Sequence, residues 1–176
     1  MKNRKPSMKK TRSVFKGKLL NVMTKYVKLP NGYTVRLEMI EHPGAALIVP
    51  FLSRDRILIL KQLRPVIGSY IYELPAGTLD KGESTLSCAK REIIEETGYK
   101  AAKFTLLGKI FPVPGYSTEK IIIYKAERMT EVGRQAEKDE VLTHCAVDKR
   151  TVKKLFRSGK IVDAKTICAL AYCGWL

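Results

Sequence analysis

The sequence predicts an α/β fold, a mixed β-sheet sandwiched between helices, with a small β-meander ahead of it. Three observations carry this. Strand-like segments come first, then a helix, then more strands, then two helices, an order that suits a sheet covered on both faces. The strand segments are short and bounded by turn residues. The helical segments carry apolar residues at spacings of three and four. No repeat or low-complexity tract interrupts the pattern, and 176 residues suffice for one domain with a small appendage. The expected division is a basic arm over 1–12, a β-subdomain over 13–43 and a main domain over 44–176.

Taken in order, Lys2, Arg4, Lys5, Lys9, Lys10 and Arg12 form an arm with no acid among them, and such a composition is expected to be disordered. From Ser13 to Ile40 apolar and polar residues alternate, with Pro30-Asn31-Gly32 as the turn of a hairpin. His42-Pro43-Gly44 breaks the pattern. Ala45 to Phe51 is a continuous apolar run, the mark of a buried strand. Arg56 to Gln62 returns as a second strand that Arg64-Pro65 ends. Tyr70 to Leu74 makes a third, leading into Pro75-Ala76-Gly77.

A helix is expected from about Ser84 to Thr97, with Leu86, Ala89, Ile93 and Thr97 on one face and Gly98 as its stop. Strands follow at Phe104–Ile110, Ile121–Ala126 and Val141–Val147. Asp148 caps a helix that Gly159 ends, and Asp163 caps a last helix with Ile167, Leu170, Ala171 and Trp175 on one face.

Composition narrows the function. The net charge is +16, which steers anionic ligands toward the protein. No apolar run approaches the roughly 20 residues of a membrane span, and no apolar segment follows the basic N-terminus as in a signal peptide, so a cytoplasmic location is expected. Cys88, Cys145, Cys168 and Cys173 form no CxxC pair and are not spaced with His42 or His144 as zinc ligands. They read as buried free thiols. The basic arm could touch nucleic acid, but no aromatic residues interleave it to stack bases, and a solubilising tail is the preferred reading.

Glu92, Glu95 and Glu96 share a second face of the central helix. Like charges at i, i+3 and i+4 weaken an isolated helix by roughly 0.2–0.5 kcal/mol per pair. A hard divalent cation offsets that cost, and Mg²⁺ characteristically takes one or two carboxylates beside substrate phosphates. Arg91 can reach back to Glu83 just before the helix. The run from Gly77 to Tyr99 fits G-x5-E-x7-R-E-U-x-E-E-x-G-U without a departure, U being aliphatic or bulky apolar. This pattern resembles the Nudix box. The resemblance implies the Nudix fold and a loop–helix–loop that holds Mg²⁺ or Mn²⁺ against a diphosphate.

Further matches lie outside the box. His42-Pro43-Gly44-Ala45-Ala46, Leu60-Lys61-Gln62-Leu63-Arg64, Glu73-Leu74-Pro75-Ala76-Gly77 and a loop carrying Pro114 are similar to the ADP-ribose pyrophosphatases and nucleoside diphosphate sugar hydrolases. The resemblance implies that the Ala76 carbonyl, Glu92 and Glu96 hold metal, with Glu95 supporting a second metal or orienting a ligand. Glu83 fixes Arg91, while Gly77 and Gly98 shape the box. Arg36 and Arg64 contact phosphate or the terminal ribose, and Pro114, Gly115 and Glu119 lie along the substrate. The base comes from an acidic loop, with Glu137 first, then Asp139 and Glu140. An N-terminal β-segment exchanged within a homodimer would bring Arg36 to the partner's site. One departure stands out: Gly17-Lys18-Leu19-Leu20 offers no aromatic to stack adenine, which favours a broad nucleotide-sugar range. The expected activity is metal-dependent cleavage to a nucleoside monophosphate and a sugar phosphate. Hydrolysis of RNA 5′ ends or nucleoside triphosphates, and a catalytically silent binding module, are the alternatives.

Overall fold

The computed structural model describes residues 7–18, 20–134 and 141–176. Strands β1 (Ser7–Lys16), β2 (Asn21–Lys28) and β3 (Thr34–Glu41) form an antiparallel sheet in that order. The second sheet has the order β7 (Ala76–Thr78), β4 (Ala45–Pro50), β9 (Ile121–Glu131) and β8 (Tyr99–Ile110). It is mixed, because β4 runs parallel to β9 and antiparallel to β7. A third sheet has β5 (Arg56–Arg64) between β10 (Leu142–Asp148) and β6 (Ser69–Glu73). The helices are α1 (Thr85–Thr97), α2 (Lys149–Arg157) and α3 (Ala164–Tyr172).

The mixed sheet lies between helices, as the sequence predicts, and β4 shows why its residues read as one apolar run. Successive side chains on a strand point to opposite faces. Ala45, Leu47 and Val49 enter a core shared with Leu170 of α3 and Trp175. Ala46 and Ile48 enter a second core with Cys88, Ala89 and Ile93 of α1. Every residue of β4 is therefore buried. Burying a side chain such as Ile48 contributes about 1.5–3 kcal/mol. Trp175 meets Phe51 edge to face, with ring centroids 5.5 Å apart.

Three expectations change. Residues 7–12 are not a disordered arm: β1 starts at Ser7, and Thr11 and Arg12 pair with Lys25 and Thr24. Backbone pairing needs no apolar alternation, so a run of lysines hid the strand. The strand expected from Phe104 begins at Tyr99, and the one expected to end at Ala126 continues to Glu131, because the two strands pair with each other along that length. The third change concerns burial. Leu86 on α1 and Ala171 on α3 are exposed, while Cys88 and Glu96, and Thr166 and Ala169, take buried places. Of the four thiols only Cys88 is buried; Cys145 is exposed and Cys168 and Cys173 are partly covered.

The caps follow the sequence. The side chains of Ser84, Asp148 and Asp163 accept from the N–H groups of Ser87, Thr151 and Thr166 at the starts of α1, α2 and α3. Gly98 ends α1 at φ 74°, a conformation in which glycine is favoured. Among the described residues no helix is long and apolar enough to cross a membrane.

Candidate active site

Helix α1 presents its acidic side next to β7, and Arg91 stands at the centre of that side. Its guanidinium donates to Glu83 through Nε and Nη2, each at 3.1 Å, and through Nη1 to Glu92 at 2.6 Å and Glu95 at 2.8 Å. Asp80 lies 3.9 Å from Nε. The hydrogen bonds from Arg91 hold the Glu83 carboxyl below its usual range, and Glu83 foremost among the acids raises the pKa of Arg91. The Glu92 carboxylate packs flat against Gly77: a Cβ built there would fall 1.7 Å from Glu92 Oε1. Glycine is thus required by a close approach and not by its backbone angle. Glu96 is 2% exposed and its Oε2 accepts from the Ala76 N–H at 2.9 Å. Cys88 lies beneath this cluster, and burial pushes its thiol up to about 12, so it is inert as a nucleophile at neutral pH.

A cleft of about 410 Å³ opens beside β7. Ala76, Gly77, Arg64, Glu119, Pro112 and Lys165 are among the residues bordering it. Arg64 is held by Glu73 in a two-pronged ion pair, Nε to Oε1 and Nη2 to Oε2, both at 2.6 Å. Lys165 Nζ donates to the same Glu73 at 2.7 Å and lies 2.9 Å from Asp163. Burial pushes the Glu73 carboxyl up, but the bonds from Arg64 and the charge of Lys165 outweigh it and leave the pKa lowered. A larger hollow of about 760 Å³ runs along the basic side of α2. No residue of β7 borders it, whereas the smaller cleft is lined by Ala76 and Gly77, which touch Glu96 and Glu92 of α1, so the smaller cleft is the one next to the acidic side.

The NUDIX domain family matches residues 41–167. The chain belongs to the Nudix family. It is 35% identical to an ADP-ribose pyrophosphatase of Bacillus subtilis (strain 168) over 90% of this chain and 87% of that one. It is also 31% identical to a methanol dehydrogenase activator of Bacillus methanolicus, over 93% of this chain and 89% of the relative. A crystal structure described as an ADP compounds hydrolase superposes with a TM-score of 0.81 at 24% identity, covering 97% of this chain and 92% of that one. At that identity the likeness is one of fold. Hydrolases of the Nudix family generally depend on a divalent cation.

By donor type the Nudix helix fits such a cation: Glu92, Glu95, Glu96 and the Ala76 carbonyl are all hard oxygen donors. Their present arrangement is closed, with Arg91 on Glu92 and Glu95. Among the described residues no three side chains of Asp, Glu, His or Cys converge as a metal cage. Arg91 occupies one oxygen each of Glu92 and Glu95, oxygens that a cation bound there would share with it.

Glu83, Arg91, Glu92, Glu95, Glu96, Ala76 and Gly77 are gathered as the sequence predicts, and Gly98 closes the helix. Arg64 and Glu119 border the cleft. Pro114 and Gly115 lie on an exposed loop, and Pro112 reaches the cleft in their place. Arg36 sits on the N-terminal sheet beside Arg12, Thr24 and Tyr26, in a shallow hollow separate from the cleft. Glu137, Asp139 and Glu140 lie outside the described residues. Sequence reasoning missed three residues. Glu73 stood inside a quoted motif and Lys165 in the last helix, but nothing in the pattern joined them. Arg134 carried no signal; it donates to the carbonyl of Glu95 at 3.3 Å and of Leu142 at 3.0 Å, tying the end of α1 to the start of β10.

Proposed function

We propose that the protein is a pyrophosphohydrolase that cleaves ADP-ribose or a nucleoside diphosphate sugar to a nucleoside monophosphate and a sugar phosphate. The observation that carries this is the complete acidic side of α1 beside a cleft bordered by Arg64, in a chain 35% identical to an ADP-ribose pyrophosphatase.

In this reading Glu92, Glu96 and the Ala76 carbonyl hold Mg²⁺ or Mn²⁺, with Glu95 beside them. A cation held there would offset the charge of the diphosphate and lower the pKa of water. Glu73 fixes the Arg64 fork, which suits bidentate recognition of phosphate oxygens. Glu137, or failing it Asp139 or Glu140, takes the proton from the attacking water. Water adds to one phosphorus and the other phosphate leaves. A homodimer completes the site, with Arg36 acting in the partner's cleft. The N-terminal sheet supports this: Val14, Phe15, Tyr26 and Leu37 are exposed on it, and exposed apolar residues on a small sheet suit a protein–protein contact. A cytoplasmic setting is part of the same reading.

The test is hydrolysis of ADP-ribose, ADP-glucose, UDP-glucose, GDP-mannose, dGTP and a triphosphate-ended RNA with Mg²⁺ or Mn²⁺, beside Glu96→Gln. Turnover of the diphosphate sugars is expected, falling about 100-fold or more in the variant. Turnover of dGTP or RNA alone would overturn the substrate class.

A further inference from the structure

The part of the cleft lined by β5 and α3 is built around a buried anion. Glu73 is 1% exposed, and a carboxylate in that position needs full compensation. It has two cations, Arg64 and Lys165, on its two oxygens. The fourth member, Asp163, is engaged elsewhere as well: its Oδ2 accepts from the Thr166 N–H as the cap of α3, where the first-turn N–H groups offset its charge. The assembly is fixed in place by Thr166, fully buried, whose hydroxyl accepts from the Leu74 N–H at 2.9 Å. Lys165 is thus held on a pinned turn next to the residue that leads into Pro75 and Ala76.

Donor counting shows what remains. An ammonium has three N–H donors and a guanidinium five. Lys165 donates one to Glu73 and lies in an ion pair with Asp163, and Arg64 uses two, on Glu73. Among the described residues nothing takes the others. Both side chains border the same cleft as Ala76 and Gly77. Only 19% of the Lys165 side chain is exposed, so its charge is screened by water far less than that of a surface lysine.

We propose that Lys165 is a phosphate-binding residue of this cleft, forming with Arg64 an anion seat for a phosphate of the diphosphate. The inference rests on the reading of the substrate as a diphosphate. It assigns a substrate contact to α3, a helix outside the Nudix box. Glu73 is then a positioning residue that aims both cations.

The experiment compares wild type, Lys165→Met and Lys165→Arg, each with Mg²⁺. Steady-state hydrolysis of ADP-ribose is measured, together with calorimetric binding of inorganic pyrophosphate and thermal melting. In Lys165→Met the KM for ADP-ribose should rise about tenfold or more, with kcat changed less, as expected when a charge-assisted contact to bound phosphate is removed. Lys165→Arg should restore most of the loss. A lowered melting temperature with KM unchanged would make Lys165 a structural tie and overturn the proposal. If wild type turns over no diphosphate, the substrate reading has failed, and pyrophosphate decides the seat by itself. Binding weakened in Lys165→Met and kept in Lys165→Arg supports it; equal binding in all three, or none in any, overturns it. Should Lys165→Met not fold, Lys165→Gln, which keeps the stem and loses the charge, makes the same comparison.

Discussion

Two ion clusters stand at the cleft with opposite designs. On α1 one cation, Arg91, gathers Asp80, Glu83, Glu92 and Glu95. On β6 one anion, Glu73, gathers Arg64 and Lys165. The first has an excess of negative charge and a centre 29% exposed; the second balances Arg64 and Lys165 with Glu73 and Asp163 around a centre almost without exposure. An open cluster with surplus anions can exchange its central cation for another, whereas a buried one cannot lose its central anion without leaving Arg64 unpaired and Lys165 with Asp163 alone. The comparison teaches that the first cluster is built for replacement and the second for permanence.

The largest effect expected from breaking this contrast is at Glu73. Glu73→Gln leaves Arg64 and Lys165 without their shared partner. Unpairing a buried charge costs about 3–5 kcal/mol, and the partial exposure of Arg64, 41% for its side chain, reduces this to about 2–3 kcal/mol. Urea denaturation with an unchanged m-value would register it as a lower midpoint. Arg91→Ala should cost less, about 1–2 kcal/mol, since its carboxylates are near water. It also carries a sharper test: millimolar Mg²⁺ should raise the melting temperature of Arg91→Ala more than that of wild type. An equal rise in both would break the idea that cation and guanidinium compete. The smallest effect is in pH dependence. Glu73 has a folded pKa lowered from an ordinary value of 4.5. Its contribution is therefore fully present above that value and is lost as pH falls through the depressed one. The acid limb of the stability curve should flatten in Glu73→Gln and keep its slope in Lys61→Ala, which touches neither cluster.

The same contrast explains what the sequence made legible. The acidic cluster lies within one helix and the loop before it, so its members stand at fixed short spacings that a pattern can hold. The spacing of eight residues between Glu83 and Arg91 is enough to pair them, and their side chains do meet. The Glu73 cluster draws Arg64 from nine residues away and Lys165 from 92; no local spacing encodes such a meeting. In the fold, β4 was legible because burial on both faces leaves a continuous apolar run. β1 was not, because its pairing with β2 is made by the backbone and its lysines show no alternation. The paired length of β8 and β9 was underestimated for the same reason: Lys100, Lys103 and Glu127 are polar positions on paired strands.

The double burial of β4 bears on how the site comes apart. Its Ile48 N–H donates to the carbonyl of Pro75 at 2.8 Å, and Leu47 pairs with Ala76 and Ala46 with Gly77. The backbone that positions the carboxylate cluster is thus laced to the strand from which both cores grow. The Ala76 amide, held by the buried Glu96 carboxylate, is therefore expected to exchange with solvent more slowly than the amides of the exposed loops.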